Sequence, residues 1–416
     1  MYVVEDRQAE GQQPTSYLCL RNFSYCLKGE IAIEGQTIKR PRYGQALSKI
    51  AQWGADAFYR GEIARNTIQA INSTGGIMTL ADLANYTVIE REPVTLKFND
   101  HTLYATSAPS SGPVVLSALQ TLNQFDDRAA AGYNLTTHRL IEAAKFADGE
   151  RASYRDSAFV ANVSRLQQEY LQVAHAQKKR AKIKNDGVLA SSEYGSSRFH
   201  VLSDSGTSHL VAIDFTGLAV TLATTFNTFF GSKSTTKDGI ILNNEMDHFS
   251  TPGQTNSYGY VPTISNYPAP GKKSLLLIAP LVALDSQGRL VLATGSAGGS
   301  RIPKTVIITT HGVLQDGSSI QEALRMPRWH DQLSHAITYL EWAGPPDGIS
   351  PSQAVGAKSW HSFSNSTAAF LKSVGHNVTY VAPGSSTAQG TQFVPKNGTF
   401  LGGAKIWQLA AAAAAM

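Results

Sequence analysis

Two apolar runs, Leu275–Leu284 and Leu290–Thr294, follow one another with few polar interruptions. A strand with one wet face alternates apolar and polar residues. A strand that stays apolar needs cover on both faces. The runs therefore predict a strand pair inside a layered fold, ended by Gly295-Ser-Ala-Gly-Gly-Ser300 and followed by a helix over Arg301–Leu314. Residues 43–74 carry Leu47, Ile50, Ala51, Phe58, Ile63, Ile68 and Ile71 at helical spacing, stopped by Gly75-Gly76. Strands are expected between Tyr86 and Thr106 with a turn at Asn99-Asp100, then a helix from about Pro113 and another over Asn134–Ser153. Ser208–Asp214 and Leu218–Phe226 alternate around Thr216-Gly217 as a second strand pair. Helices, then strands, then helices again predict stacked α and β layers rather than βαβ repeats.

With 416 residues, 42% of them hydrophobic, the chain has ample material for a large core. Its 16% charged content and net charge of +5 exclude a disordered polyelectrolyte and give no support for nucleic acid or a membrane surface. The basic run Gln177–Lys184 reads first as a solvated helix end or linker, with a site for an anionic partner as the alternative. No apolar run is long enough to cross a bilayer. The only cysteines, Cys19 and Cys26, allow one small loop or two free thiols. No zincin, P-loop or G-x-S-x-G motif occurs, and no cofactor or metal is implied.

Eight asparagines lie in N-x-[ST] sequons: Asn22, Asn72, Asn85, Asn134, Asn162, Asn365, Asn377 and Asn397. That excess points to a secreted or vacuolar glycoprotein, although the N-terminal residues carry no signal peptide.

The chemistry-bearing segment is Gly206-Thr207-Ser208-His209, where a threonine opens a strand after a polar, Gly-ended linker. A threonine hydroxyl is a poor nucleophile without a neighbouring base. A chain break before Thr207 would supply one, the new α-amine of the same residue. The pair Gly298-Gly299 has two readings: a tight strand-to-helix turn, or backbone N–H groups able to approach an oxyanion.

Around these residues the sequence resembles the γ-glutamyltranspeptidases. Thr207-Ser-His-Leu-Val-Ala-Ile-Asp214, Thr225-Phe-Asn227, Gly239-Ile-Ile-Leu-Asn-Asn-Glu-Met-Asp247, Thr294-Gly-Ser-Ala-Gly-Gly-Ser-Arg-Ile302 and Pro327-Arg-Trp-His-Asp-Gln332 are similar to that family's small subunit. Arg40-Pro41, Gly54-Ala-Asp-Ala-Phe-Tyr59, Gly75-Gly76, Asp82-Leu83 and Pro109-Ser-Ser-Gly112 are similar to the latter part of its large subunit. The likeness covers roughly residues 30–400.

The resemblance implies an N-terminal-nucleophile hydrolase, a four-layer αββα sandwich made as a zymogen that cuts itself between Gly206 and Thr207. Residues 1–206 would then be the latter part of the large-subunit region, and residues 207–416 the small-subunit region, the two fragments staying together as a heterodimer. Thr207 would take the γ-glutamyl group of glutathione or a conjugate and pass it to water or an amino acid. Thr225 would support the nucleophile. Asn227, Glu245 and Asp247 would lie at the glutamyl head group, and Gly298 and Gly299 would form the oxyanion hole. Three positions depart from the pattern. His248 stands where the family has a second acid, and Leu276-Leu277 stand where it has a serine pair for the substrate carboxylate. The family's earlier large-subunit segment, with its carboxylate-clamping arginine, has no counterpart in residues 1–39, so the sandwich is expected to be incomplete at its N-terminal side. Three functions stay open on this reading: a γ-glutamyl hydrolase or transferase, an acylase for a less polar acyl group, and a non-catalytic relative that binds or assists.

Overall fold

The computed structural model of the chain describes residues 25–27, 30–33, 35–128, 130–195, 206–228, 230–254, 262, 264–331, 333, 336–342, 362–395, 398–405 and 413. Two compact units are formed, the first from residues 1–90 and 226–245 and the second from residues 91–225 and 246–416.

In the first unit, β1 (Cys26–Leu27) pairs antiparallel with β2 (Glu30–Ile31), and Cys26 is disulfide-bonded. Four helices follow: α1 (Pro41–Trp53), α2 (Asp56–Tyr59), α3 (Glu62–Asn72) and α4 (Leu80–Ala84). Proline suits the first turn of α1, where its missing N–H has no helical partner. Helix α3 buries Ile63, Ala64, Thr67 and Ile68, the face set by its apolar spacing. Thr79 and Asp82 cap α4 reciprocally. The segment 226–245 is tied in by Arg40 Nη2, which donates to the Gly239 carbonyl (2.8 Å), and by Asn66 Nδ2, which donates to Asp238 (2.9 Å).

The second unit begins with β3 (Val94–Phe98) and β4 (His101–Ala105), joined as expected at Asn99, whose φ is 51°. Next come α5 (Gly112–Leu122), α6 (Gly132–Arg151), α7 (Val163–Tyr170) and α8 (Val173–Lys182). Then follow β5 (Thr207–Ile213), β6 (Ala219–Thr225), β7 (Leu281–Leu284), β8 (Leu290–Ala297), α9 (Arg301–Leu314), α10 (Ile320–Arg325), β9 (Trp329–His330), β10 (Ile337–Glu341), α11 (Asn365–Ser373), β11 (Asn377–Val381), β12 (Thr387–Val394) and β13 (Thr399–Ala404).

Six strands make an antiparallel sheet in the order β13-β12-β8-β7-β4-β3. Strand β8 is buried at all but one position, as its apolar run requires. Helix α9 packs against it, and the β5–β6 hairpin forms a further layer over it. Helix α5, buried along its whole length, extends the helical layer over β3 and β4. The fold is the mixed α/β, layered type that the sequence implied. Strand β4 pairs directly with β7, so the sheet joins strands from both sides of the 206/207 position.

The structure corrects the sequence reading in two places. The strand expected over Leu275–Leu284 is confined to Leu281–Leu284. Upstream of it the chain bonds to a loop instead: Leu276 N–H donates to the Pro109 carbonyl (2.9 Å), and Ser111 N–H to the Ile278 carbonyl (2.9 Å). The basic run does end a helix, α8, but Lys179 is not solvated. It is buried, with Nζ 2.8 Å from the Glu150 carboxylate, because α8 packs on α5.

Candidate active site

Thr207 is the first residue of β5 and Thr225 the last of β6, and the two are direct partners in the antiparallel ladder. Their side chains share the inner face of the hairpin, and Thr207 Oγ1 donates to Thr225 Oγ1 over 3.1 Å. β-Branched residues suit this pleated position. The strand pairing itself brings the two hydroxyls together across eighteen residues of sequence. Gly206 directly precedes β5 and is partly exposed.

Two residues on, the same face of β5 carries His209, buried against β8 and β12. Its Nδ1 meets Gln389 Oε1 at 3.1 Å and its Nε2 meets Thr221 Oγ1 at 2.7 Å. Burial pushes the imidazole down to about 4, so the ring is neutral at physiological pH. Gly295 makes room for it: a Cβ there would lie 2.3 Å from His209 Nε2. Thr221 Oγ1 also donates to the Thr294 carbonyl (3.3 Å). His209 thus locks the strand that carries Thr207 onto the central sheet. The sequence reading passed over it as part of a motif. The available signal was its position two residues from Thr207, which puts both on one face of a strand.

Gly298 and Gly299 follow β8 directly and lead into α9, with φ of 127° and 51°. A Cβ on Gly298 would stand 2.7 Å from the Ser385 carbonyl oxygen, so the position needs glycine on both conformational and steric grounds. Their carbonyls accept from the N–H groups of Arg301 and Ile302. Among the described residues, neither glycine N–H donates to a protein acceptor. The turn and the pair of available donors coexist, so the two sequence readings of this pair are compatible.

The head-group candidates are placed less tightly. Asn227 and Glu245 belong to the first unit. There Asn227, buried with φ of 77°, donates through Nδ2 to the Asn244 carbonyl (3.0 Å), and Glu245 N–H donates to Asn243 Oδ1 (3.0 Å). Asp247 and His248 belong to the second unit, in a 3-10 turn over Glu245–His248. Asn266 braces that turn: its Nδ2 donates to the His248 carbonyl (2.8 Å), and its carbonyl accepts from Ser250 N–H (2.9 Å). Leu277 is buried and Leu276 partly buried, and Ser111 Oγ donates to the Leu276 carbonyl over 2.7 Å. Arg151 approaches that serine, its Nε 3.4 Å from Ser111 Oγ. The sequence reading held Ser111 only as part of Pro109-Ser-Ser-Gly112 and did not single out Arg151, because nothing in their spacing links them to residue 276.

Of the sequons, Asn72, Asn85, Asn162, Asn365 and Asn377 are exposed. Asn134 is partly buried, and its Oδ1 accepts from Thr367 (2.7 Å). Asn22, Asn397 and Cys19 lie outside the described residues. No helix among the described residues is long and apolar enough to cross a membrane.

The family model "Gamma-glutamyltranspeptidase" matches residues 9–415. The chain belongs to the γ-glutamyltranspeptidase family. It is 36% identical over 376 residues to a glutathione hydrolase proenzyme of Arthroderma benhamiae, covering 90% of this chain and 61% of that protein. It is 31% identical over 335 residues to the glutathione hydrolase proenzyme of Escherichia coli, covering 80% of this chain and 57% of that one. The chain thus spans roughly three fifths of the length of these relatives. Among solved structures, a cephalosporin acylase from Bacillus halodurans superposes with a TM-score of 0.73 at 20% identity, over 96% of this chain and 66% of that one. That likeness shows the shared fold.

Proposed function

We propose that this γ-glutamyltranspeptidase family member removes or transfers a γ-glutamyl group through an acyl-enzyme on Thr207, formed after the chain breaks between Gly206 and Thr207. The observation that carries the reading is the 3.1 Å hydrogen bond from Thr207 to Thr225 at the open end of the β5–β6 hairpin. Once cut, Thr207 holds a hydroxyl and an α-amine on one residue. The amine takes the hydroxyl proton as Oγ1 attacks the γ-carbonyl, and the proton passes to the leaving amine. Thr225 holds the attacking oxygen in one orientation. Gly298 and Gly299 offer N–H groups to the developing oxyanion, an interaction worth about 3–4 kcal/mol for a well-placed donor. Glutathione or a glutathione conjugate is the proposed donor substrate, in line with the relatives named glutathione hydrolase. The two fragments would remain together, and the exposed sequons fit passage through the secretory pathway.

A second reading rests on Leu276, Leu277 and His248. Apolar side chains stand where the family binds a carboxylate, and burying a carboxylate against them without hydrogen bonds costs several kcal/mol. That favours a less polar acyl group on the same nucleophile. One experiment separates the readings. The purified chain is run on a denaturing gel, then assayed with a γ-glutamyl anilide beside N-acyl anilides lacking the charged head group. Two fragments meeting at Thr207 and turnover of the γ-glutamyl substrate support the first reading. Turnover of the N-acyl substrates alone supports the second. An intact, inert chain removes both.

A further inference from the structure

Inside the second unit, α6 presents His138 and Glu142 one helical turn apart, and His376 reaches them from the turn before β11. All three are buried, and one ligand atom from each lies within 4.8 Å of the others. The hydrogen bonds around the two imidazoles fix their protons. His138 Nε2 lies 2.7 Å from the Lys184 carbonyl, which can only accept, so Nε2 carries the proton and Nδ1 is a lone pair. Thr338 Oγ1 spends its single proton on Asp331 Oδ2 (2.8 Å), so it can only accept from His376 Nδ1, 3.2 Å away. His376 Nε2 is then also a lone pair. It faces His138 Nδ1 at 2.8 Å. Two lone pairs at that distance repel unless a cation stands between them.

We propose that His138, His376 and Glu142 bind a divalent transition-metal cation of the zinc type, distinct from the Thr207 site. Both histidines already have the outer hydrogen bonds that metal-bound imidazoles use, one to a backbone carbonyl and one to a Thr–Asp relay. Glu142 Oε1 lies 4.0 Å from His376 Nε2 and supplies the anionic donor. Its other oxygen accepts from Tyr194. Lys145 Nζ now holds Glu142 Oε1 at 2.9 Å, and Asp331 Oδ2 is 3.9 Å from the same Nζ. The lysine therefore has a second carboxylate to turn to as the metal takes the first. A cavity of about 40 Å³ adjoins the cluster on its His376 side, lined also by Lys145, Tyr194, Asp331 and Thr338, and has room for a water as the proposed fourth ligand. Nitrogen ligands about 2.0–2.1 Å from zinc stand roughly 3.3 Å apart, so the rings separate by about half an ångström on loading. The bound ion would pin α6 to the turn before β11.

The test uses the full chain, stripped with a chelator and dialysed. Zn²⁺ is titrated by calorimetry and Co²⁺ by visible absorption. One ion per chain, the absorption bands of four-coordinate Co²⁺, a raised midpoint of thermal unfolding and two imidazole nitrogens in the zinc X-ray absorption spectrum are expected. Thr338→Val, which removes the partner of His376 Nδ1, should weaken binding about 10–100-fold, and His376→Ala should abolish it. The spectra of the wild-type chain decide the matter even if a variant fails to fold. Absence of stoichiometric Zn²⁺ and Co²⁺ binding by the folded wild type, or unchanged affinity in Thr338→Val and His376→Ala, would overturn the proposal and leave a shared proton as the cation between the rings.

Discussion

The hydroxyl of Thr207 donates to the hydroxyl of Thr225 across the β5–β6 ladder, so the first residue of one strand is oriented by the last residue of the next. Thr207→Ala removes the proposed nucleophile and should leave the chain uncut and inactive. Thr225→Ala removes a hydrogen bond worth about 1 kcal/mol and should slow cutting or turnover by roughly fivefold or more, with little change in the unfolding midpoint. Timed denaturing gels and a γ-glutamyl anilide assay read both. Normal cutting in Thr207→Ala would remove it as the nucleophile.

Gly298 is confined by its φ of 127° and by the Ser385 carbonyl. Gly298→Ala must shift this turn and with it the N–H groups proposed to face the oxyanion. We expect kcat to fall about 10²–10³-fold, the loss typical of one missing oxyanion donor. KM should change much less, because the ground-state carbonyl needs the donors less. An equal loss in kcat/KM arising from KM alone would place these glycines in substrate binding.

His209 makes stability depend on acid. Burial lowers its folded pKa to about 4, below the ordinary 6.5, so the unfolded chain binds a proton that the folded chain refuses. The contribution of the neutral ring is complete above about pH 6.5 and is lost as the pH falls towards 4, at most about 3 kcal/mol. Urea midpoints from pH 8 to 4.5 should fall less steeply in His209→Gln than in the wild type. Identical slopes would assign the acid sensitivity to other groups.

The substrate departures can be reversed in two steps. Leu276 is only partly buried and can become serine at modest cost. Leu277 is buried, and truncating a buried leucine typically costs about 2–5 kcal/mol. We therefore expect Leu276→Ser with His248→Asp to raise γ-glutamyl kcat/KM at least tenfold, whereas adding Leu277→Ser lowers the unfolding midpoint. Flat activity in the double variant would mean that these two positions do not limit γ-glutamyl turnover.

What the sequence showed and what it hid divide along physical lines. The β5–β6 pair, the turn at Asn99 and the helix over Arg301–Leu314 were legible because local periodicity and turn residues act over a few positions. The Leu275–Ile278 segment was misread because its apolar character fits burial of any kind. Its backbone partners, Pro109 and Ser111, lie more than 160 residues away, as the 165-residue separation of Ser111 and Leu276 shows. Thr207 became the candidate nucleophile, and Gly298-Gly299 the candidate oxyanion turn, through resemblance to a known pattern, and the fold adds the contact between Thr207 and Thr225. His138 and His376 stayed hidden, since 238 residues separate them and neither spacing nor composition pairs them. Lys179 looked like a surface charge because its partner, Glu150, sits on another helix.

The pairing of β4 with β7 has a practical consequence for anyone looking for the cut. Tyr104 and Val282 stand opposite each other in one ladder, although a break before Thr207 would assign them to different polypeptides. The two fragments would be held together by a shared sheet and a shared core. Gel filtration and light scattering in native buffer should register one particle of unchanged size. The break would show itself only when detergent or denaturant dissolves that sheet, or when the new amino terminus is read chemically.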